Sequence, residues 1–108
     1  MRPQYSQLIS LLIDLEYELR RAQLWATYSP TDEALSGVEP FCIDTMTFQE
    51  WLQFVFLPRM HLLLEQELPL PEACNITAMA ETVWAGTPAA KPVIVVLRSL
   101  DNSINDQA

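Results

Sequence analysis

His61 and Glu65 stand four residues apart in a stretch of helical periodicity, so an imidazole and a carboxylate share one helix face, a turn apart. That spacing can ligate a divalent metal, but a closed or catalytic site needs a third ligand of the same kind. The chain has one histidine, and its two cysteines, Cys42 and Cys74, are far apart in sequence. The expectation is therefore no metal, with His61 as a half-buried imidazole hydrogen-bonded to Glu65. Asp44, lying between Ile43 and Thr45 ahead of a helix, can cap that helix or accept a bond from Arg20 or Arg59; capping is preferred because Asp is a favoured N-cap. Glu16 falls at the edge of an apolar stripe, where it pairs with Arg20 one turn on or offers a carboxylate to a partner or ligand groove. Asp32-Glu33 and Glu65/Glu67 lie in solvent-rich loop or helix-end positions and read as solvated charge, not as a general acid and base.

The rest of the catalytic inventory is thin. With two glycines and one lysine, there is no glycine-rich loop to cradle a phosphate or a dinucleotide. No catalytic residue, no cofactor and no enzyme activity are expected. Fourteen acidic groups against six basic ones give a net charge of −8, and the cations are dispersed, Arg20-Arg21 being the one adjacent pair. Such a surface repels phosphate backbones, since nucleic-acid affinity rests on clustered Lys and Arg displacing counterions. Direct tRNA or DNA binding is disfavoured on that ground and is not expected.

The elements that must position these residues are helical. Half of the 108 residues are apolar and 19% are charged, the composition of one folded domain spanning 1–108. Tyr5, Leu8, Leu12, Leu15, Leu19, Ala22 and Ala26 alternate three- and four-residue steps, which predicts a first helix from Gln4 to Ala26. Ser29-Pro30 predicts the start of a short helical turn that Gly37 ends. Thr47-Phe48-Gln49-Glu50 is a capping box opening a second helix, which begins there or at Asp44 and is apolar on nearly every side. Pro58 falls inside it and predicts a kink near Phe54 to Pro58. A third helix is expected from Thr77 to Ala85 with Gly86 as its stop, and a fourth from Pro92 to Asn105. Val93 to Leu97 has strand propensity, but Val93, Leu97, Leu100 and Ile104 continue at helical spacing and no second strand exists to pair with it. The fold class is all-α: a small four-helix bundle with a long irregular connection between helix one and helix two.

The second helix poses the functional question. Trp51, Val55, Pro58 and Leu62 fall on one line, Leu52, Phe56 and Leu63 lie beside it, and Leu57, Met60 and Leu64 are nearly opposite. A domain this small leaves about 40% of its unfolded-chain surface exposed, so some of that apolar surface must show and mark a contact. The candidate binding residues are Asp44, Trp51, Phe54, Pro58, Arg59, Met60 and His61, with Trp51 an anchor of either the core or an interface.

The stretch that carries these residues resembles the YqcC-like family of small bacterial helical proteins. The resemblance runs through Pro40-Phe41, Asp44-Thr45-Met46, Glu50-Trp51-Leu52-Gln53, Pro58-Arg59-Met60-His61 and Leu68-Pro69-Leu70-Pro71, with weaker support from Leu15, Glu16, Leu19 and Trp25. Around Ala78 to Glu81 the chain lacks a proline of the family pattern. The resemblance implies a compact four-helix domain of the bacterial cytoplasm, often encoded beside a tRNA pseudouridine synthase and without assigned catalytic residues.

Charge, apolar surplus and resemblance together lead to an accessory interaction domain with a protein partner, a tRNA-modifying enzyme among the candidates. The alternative is a module holding a small apolar ligand between helices lined by Trp51, Phe54 and Met60. A homo-oligomer is left open. No apolar run approaches the ~20 residues of a membrane helix, and the start, Met1 to Gln7, lacks the order of a secretory signal. A cytoplasmic location with Cys42 and Cys74 as free thiols is expected.

Overall fold

The computed structural model describes residues 3–37, 46–70 and 75–107, and the side chains of 5–37, 46–70 and 75–105. The N-terminal apolar repeat forms α1 (Pro3–Arg21), and the C-terminal one forms α6 (Lys91–Gln107). Between them lie a one-turn α2 (Asp32–Leu35), a helical rod made of α3 (Phe48–Trp51), a π turn (Leu52–Phe56) and α4 (Leu57–Glu65), then α5 (Ile76–Val83) and a 3₁₀ turn (Pro88–Ala90). The described residues contain no strand. The fold is the all-α bundle that the periodicities predict, and Val93 to Leu97 are helical.

The core is the meeting of two leucine-rich stripes. Leu8, Leu12, Leu15 and Leu19 of α1 and Val93, Leu97, Leu100 and Ile104 of α6 are all fully buried, and the two helices pack along one another. Each such side chain withdraws enough apolar surface to contribute about 1.5–3 kcal/mol. α4 closes against α1 with Leu57, Met60 and Leu64, while α5 closes against α6 with Ile76 and Ala80.

The helix boundaries differ from the sequence expectation in instructive ways. The first helix ends at Arg21, five residues before Ala26, because the chain turns through a left-handed Gln23 at φ 61°. Gln23 N–H donates to Arg20 O at 3.1 Å and Leu24 N–H to Leu19 O at 2.9 Å, the paired bonds of a Schellman cap. α4 ends the same way: Glu67 sits at φ 52°, and Leu68 N–H donates to Leu63 O at 2.8 Å. The N-cap of α2 is Thr31, not Ser29; its hydroxyl accepts from Ala34 N–H at 3.1 Å. α5 stops at Val83, ahead of Gly86, whose φ is not positive, so the glycine's conformational freedom is not what ends it.

The second helix starts where its capping box lies. Thr47 N–H donates to Glu50 Oε1 at 2.9 Å and Glu50 N–H to Thr47 Oγ1 at 3.2 Å. The irregularity expected near Pro58 takes the form of the π turn, in which Leu57 N–H reaches back to Leu52 O. Pro58 then falls in the first turn of α4, where a missing N–H is tolerated.

Candidate functional site

The rod from α3 through α4 carries six of the seven candidate binding residues, and the structure distributes them over different environments. Asp44 lies outside the described residues, as do Cys42 and Cys74. Trp51 is half-buried in an aromatic cluster. Its ring stacks near Phe48 at 6.2 Å and 11° and near Phe56 at 5.6 Å and 30°, while Phe48 meets Trp84 edge-on at 5.2 Å. Trp51 thus ties α3 to the π turn, and through Phe48 to the end of α5. Phe54 is half-buried as well, whereas Met60 is 1% exposed and belongs to the core. Pro58, Arg59 and His61 face solvent.

The line Trp51, Val55, Pro58, Leu62 therefore climbs out of the protein: the first two are half-buried and the last two exposed. Met60, on the opposite side, is too deeply packed to touch a partner without opening the bundle. His61 also differs from the sequence expectation. Its imidazole is exposed, not half-buried, and no hydrogen bond joins it to Glu65 among the described residues. No group of three His, Cys, Asp or Glu side chains among the described residues is placed to hold a metal ion.

Glu16 takes the pairing role. Arg20 Nε donates to its carboxylate at 3.0 Å, and the same guanidinium lies 4.4 Å from the centre of the Trp25 ring. Arg21 pairs with Glu18 at 3.7 Å and Arg98 with Glu81 at 2.9 Å. Among the described residues Arg20, Arg21 and Arg98 are spent on internal pairs, while Asp14, Asp32, Glu33, Glu65 and Glu67 are exposed and join none.

Two polar residues that sequence reasoning did not single out hold the scaffold of this face. Gln53 is 9% exposed; its Oε1 accepts from Ala26 N–H at 2.7 Å and its Nε2 donates to Ala26 O at 3.0 Å. One side-chain amide so satisfies both backbone groups of a loop residue, anchoring the chain after α1 to the π turn. Asp101, 6% exposed, accepts from Ile76 N–H, Thr77 N–H and Thr77 Oγ1 at 3.1, 2.8 and 2.6 Å. It caps α5 from α6, a role the residue at the N-cap position, Asn75, does not fill. An aspartate on the buried side of an apolar helix was the available signal for Asp101, and a glutamine in an all-round apolar helix for Gln53.

Among the described residues, a shallow cleft of about 280 Å³ lies between the end of α1 and the start of the rod, and another of the same size between α1 and the 3₁₀ turn. One is lined by Trp25, Ala26, Thr47 and Glu50 among others, the other by Glu18, Arg21, Pro88 and Pro92 among others. Neither includes Trp51, Phe54 or Met60, the residues expected to line an apolar ligand site. No helix among the described residues is long and apolar enough to cross a membrane.

What the geometry defines is a small helical bundle with a packed core and an apolar ridge rising from it along α4. The family model DUF446, described as "tRNA pseudouridine synthase C", matches residues 7–103. A Pectobacterium carotovorum protein named tRNA pseudouridine synthase C is 43% identical over 81 residues; the match covers 75% of this chain but 22% of that protein. An uncharacterised Haemophilus influenzae protein is 36% identical over 88% of this chain and 90% of its own length. The uncharacterised protein YqcC of Escherichia coli is 37% identical over 87% of each chain. The solution NMR structure of E. coli YqcC superposes with a TM-score of 0.86 at 32% identity, covering 99% of this chain and 92% of that one. The chain belongs to this family of YqcC-like proteins.

Proposed function

We propose that the protein is a non-catalytic accessory domain that works by docking on a tRNA pseudouridine synthase. The observation that carries this reading is the Pectobacterium relative. In a protein named as such a synthase, the stretch similar to this chain is 22% of the length, so most of that polypeptide lies outside it. In the Haemophilus and E. coli relatives the same module makes up nearly the whole protein. A module found both joined to a larger chain and alone is what an accessory domain acting in cis or in trans looks like.

The charge supports the same reading. An enzyme that binds tRNA presents basic surface, and a domain of net charge −8 is attracted to such surface while being repelled by the RNA itself. The described carboxylates are placed for structural work or solvent: Asp101 caps a helix, Glu50 closes a capping box, and Glu16 and Glu81 hold arginines. Gel filtration of the purified chain with the purified tRNA pseudouridine synthase of its source organism tests the proposal. Co-elution at fixed stoichiometry is expected, together with an altered rate of pseudouridine formation; separate elution and an unchanged rate would overturn it.

A further inference from the structure

The outward ridge of α4 runs Pro58, Leu62, Glu65 in steps of four and three residues, and Glu67 and Leu68 follow just past the helix end, both exposed. Leu62 is 48% and Leu68 38% exposed, so both place apolar surface in water. Glu65 and Glu67 join no ion pair among the described residues, in contrast to Glu16, Glu18 and Glu81, each of which holds an arginine. Arg59 lies a turn earlier, toward the other edge of the ridge by helical spacing. Carboxylates at this position face the negative pole of the helix dipole. Glu67 also occupies the left-handed region at φ 52°, which disfavours every side chain. In the isolated chain, then, this end of α4 combines exposed leucines with unneutralised charge of the unfavourable sign.

We infer that the Pro58–Leu62–Glu65–Leu68 ridge is the docking face for a protein surface that presents lysine or arginine beside an apolar patch, the kind of surface a tRNA-binding enzyme carries. Its leucines supply the apolar contact, and Glu65 and Glu67 pair with the incoming cations, which also neutralise the helix end. The occupant named here rests on the accessory-domain reading. Tyr28, Val83 and Val95 are exposed as well, and another exposed apolar pair, Ile13 at 60% and Tyr17 at 58% on α1, suits a basic partner less well. There Glu16 and Glu18 are already neutralised by Arg20 and Arg21, Asp14 alone of the nearby carboxylates joins no ion pair among the described residues, and Arg21 lies 5.9 Å from the Tyr17 ring centre.

The test uses Leu62→Ser, Glu65→Lys and Glu67→Gly, with Ile13→Ser as control, each measured for thermal unfolding alone and for affinity to the purified synthase. Glu65→Lys and Glu67→Gly are expected to raise the unfolding midpoint by a few degrees, since they remove unfavourable charge and backbone strain. All three ridge variants are expected to weaken binding by about tenfold or more, with the control unchanged. Unfolding midpoints at or above the wild-type value would show that lost binding is not lost folding. Wild-type chain that binds the synthase, with ridge variants binding as tightly, would overturn the docking face and leave the accessory reading standing. Wild-type chain that does not bind at all would overturn both. Binding lost in Ile13→Ser and kept in the ridge variants would move the face to α1.

Discussion

Asp101 on α6 is joined to Thr77 on α5 by two hydrogen bonds to one carboxylate oxygen, 2.8 Å from the backbone N–H and 2.6 Å from the hydroxyl. A third bond, from Ile76 N–H, reaches the other oxygen at 3.1 Å. A helix start that carries no side-chain cap at its own N-cap residue is thus completed by a residue 24 positions later in the chain. The pairing fixes α5 on α6 and so sets the platform on which Trp84 meets Phe48.

Removing that carboxylate leaves two backbone donors and a hydroxyl buried without partners. Asp101→Ala is expected to cost about 2–4 kcal/mol, from hydrogen bonds to a charged group and their desolvation. Urea unfolding gives the loss directly, and hydrogen exchange is expected to show the amides of Ile76 and Thr77 losing protection ahead of those of α1. A variant as stable as the wild type would contradict the cap.

Gln53 is expected to be nearly irreplaceable at its position. Gln53→Met keeps the volume but leaves Ala26 N–H and O unpaired, costing about 1–3 kcal/mol. Gln53→Glu keeps the acceptor for Ala26 N–H but sets a carboxylate oxygen against Ala26 O, so it is expected to be no better than Gln53→Met at neutral pH. Denaturant midpoints of the two variants, measured side by side, check the ordering.

Gln23 holds a left-handed conformation at the end of α1 without being a glycine. Gln23→Gly relieves a backbone penalty of about 1–2 kcal/mol against about 0.5–1 kcal/mol of added chain entropy. A net gain of up to about 1.5 kcal/mol follows, readable as a higher unfolding midpoint. Gln23→Val, which tolerates that conformation least, is expected to lower it.

Adjacent residues on α1 and along α4 separate core from surface. Leu12→Ala and Met60→Ala remove fully buried side chains and are expected to cost about 2–5 kcal/mol. Ile13→Ala and Leu62→Ala are expected to change stability by about 0.5 kcal/mol or less. Trp51→Ala, half-buried and stacked on two rings, is expected to fall between, at about 2–3 kcal/mol, below the ~3–5 kcal/mol of a buried tryptophan. Chemical denaturation of the five variants ranks them, and a Leu62→Ala loss equal to that of Met60→Ala would refute the assignment of faces.

The helices were legible because their cores repeat in three- and four-residue steps, and Leu8, Leu12, Leu15 and Leu19 are buried as that spacing requires. The ends were not, since the two Schellman caps use Gln23 and Glu67 where glycine is the usual marker. The apolar line through Pro58 and Leu62 was readable from angular position alone, but its outward direction needed the packing of Leu57, Met60 and Leu64 beneath it. Ile13 and Tyr17 sit among Asp14, Glu18 and Arg21 on what reads as a polar side, so no apolar stripe marks them in the sequence. Gln53 and Asp101 act on backbone groups more than 20 residues away, and no local pattern encodes such a partner.

Hydrogen–deuterium exchange of this chain, free and mixed with the purified synthase, tests the account most directly because it reports where contact is made. The expected result is slowed exchange in peptides covering residues 59–68, with α1 and α6 exchanging as in the free protein. No change anywhere, or protection confined to the Ile13 and Tyr17 side of α1, would contradict the account.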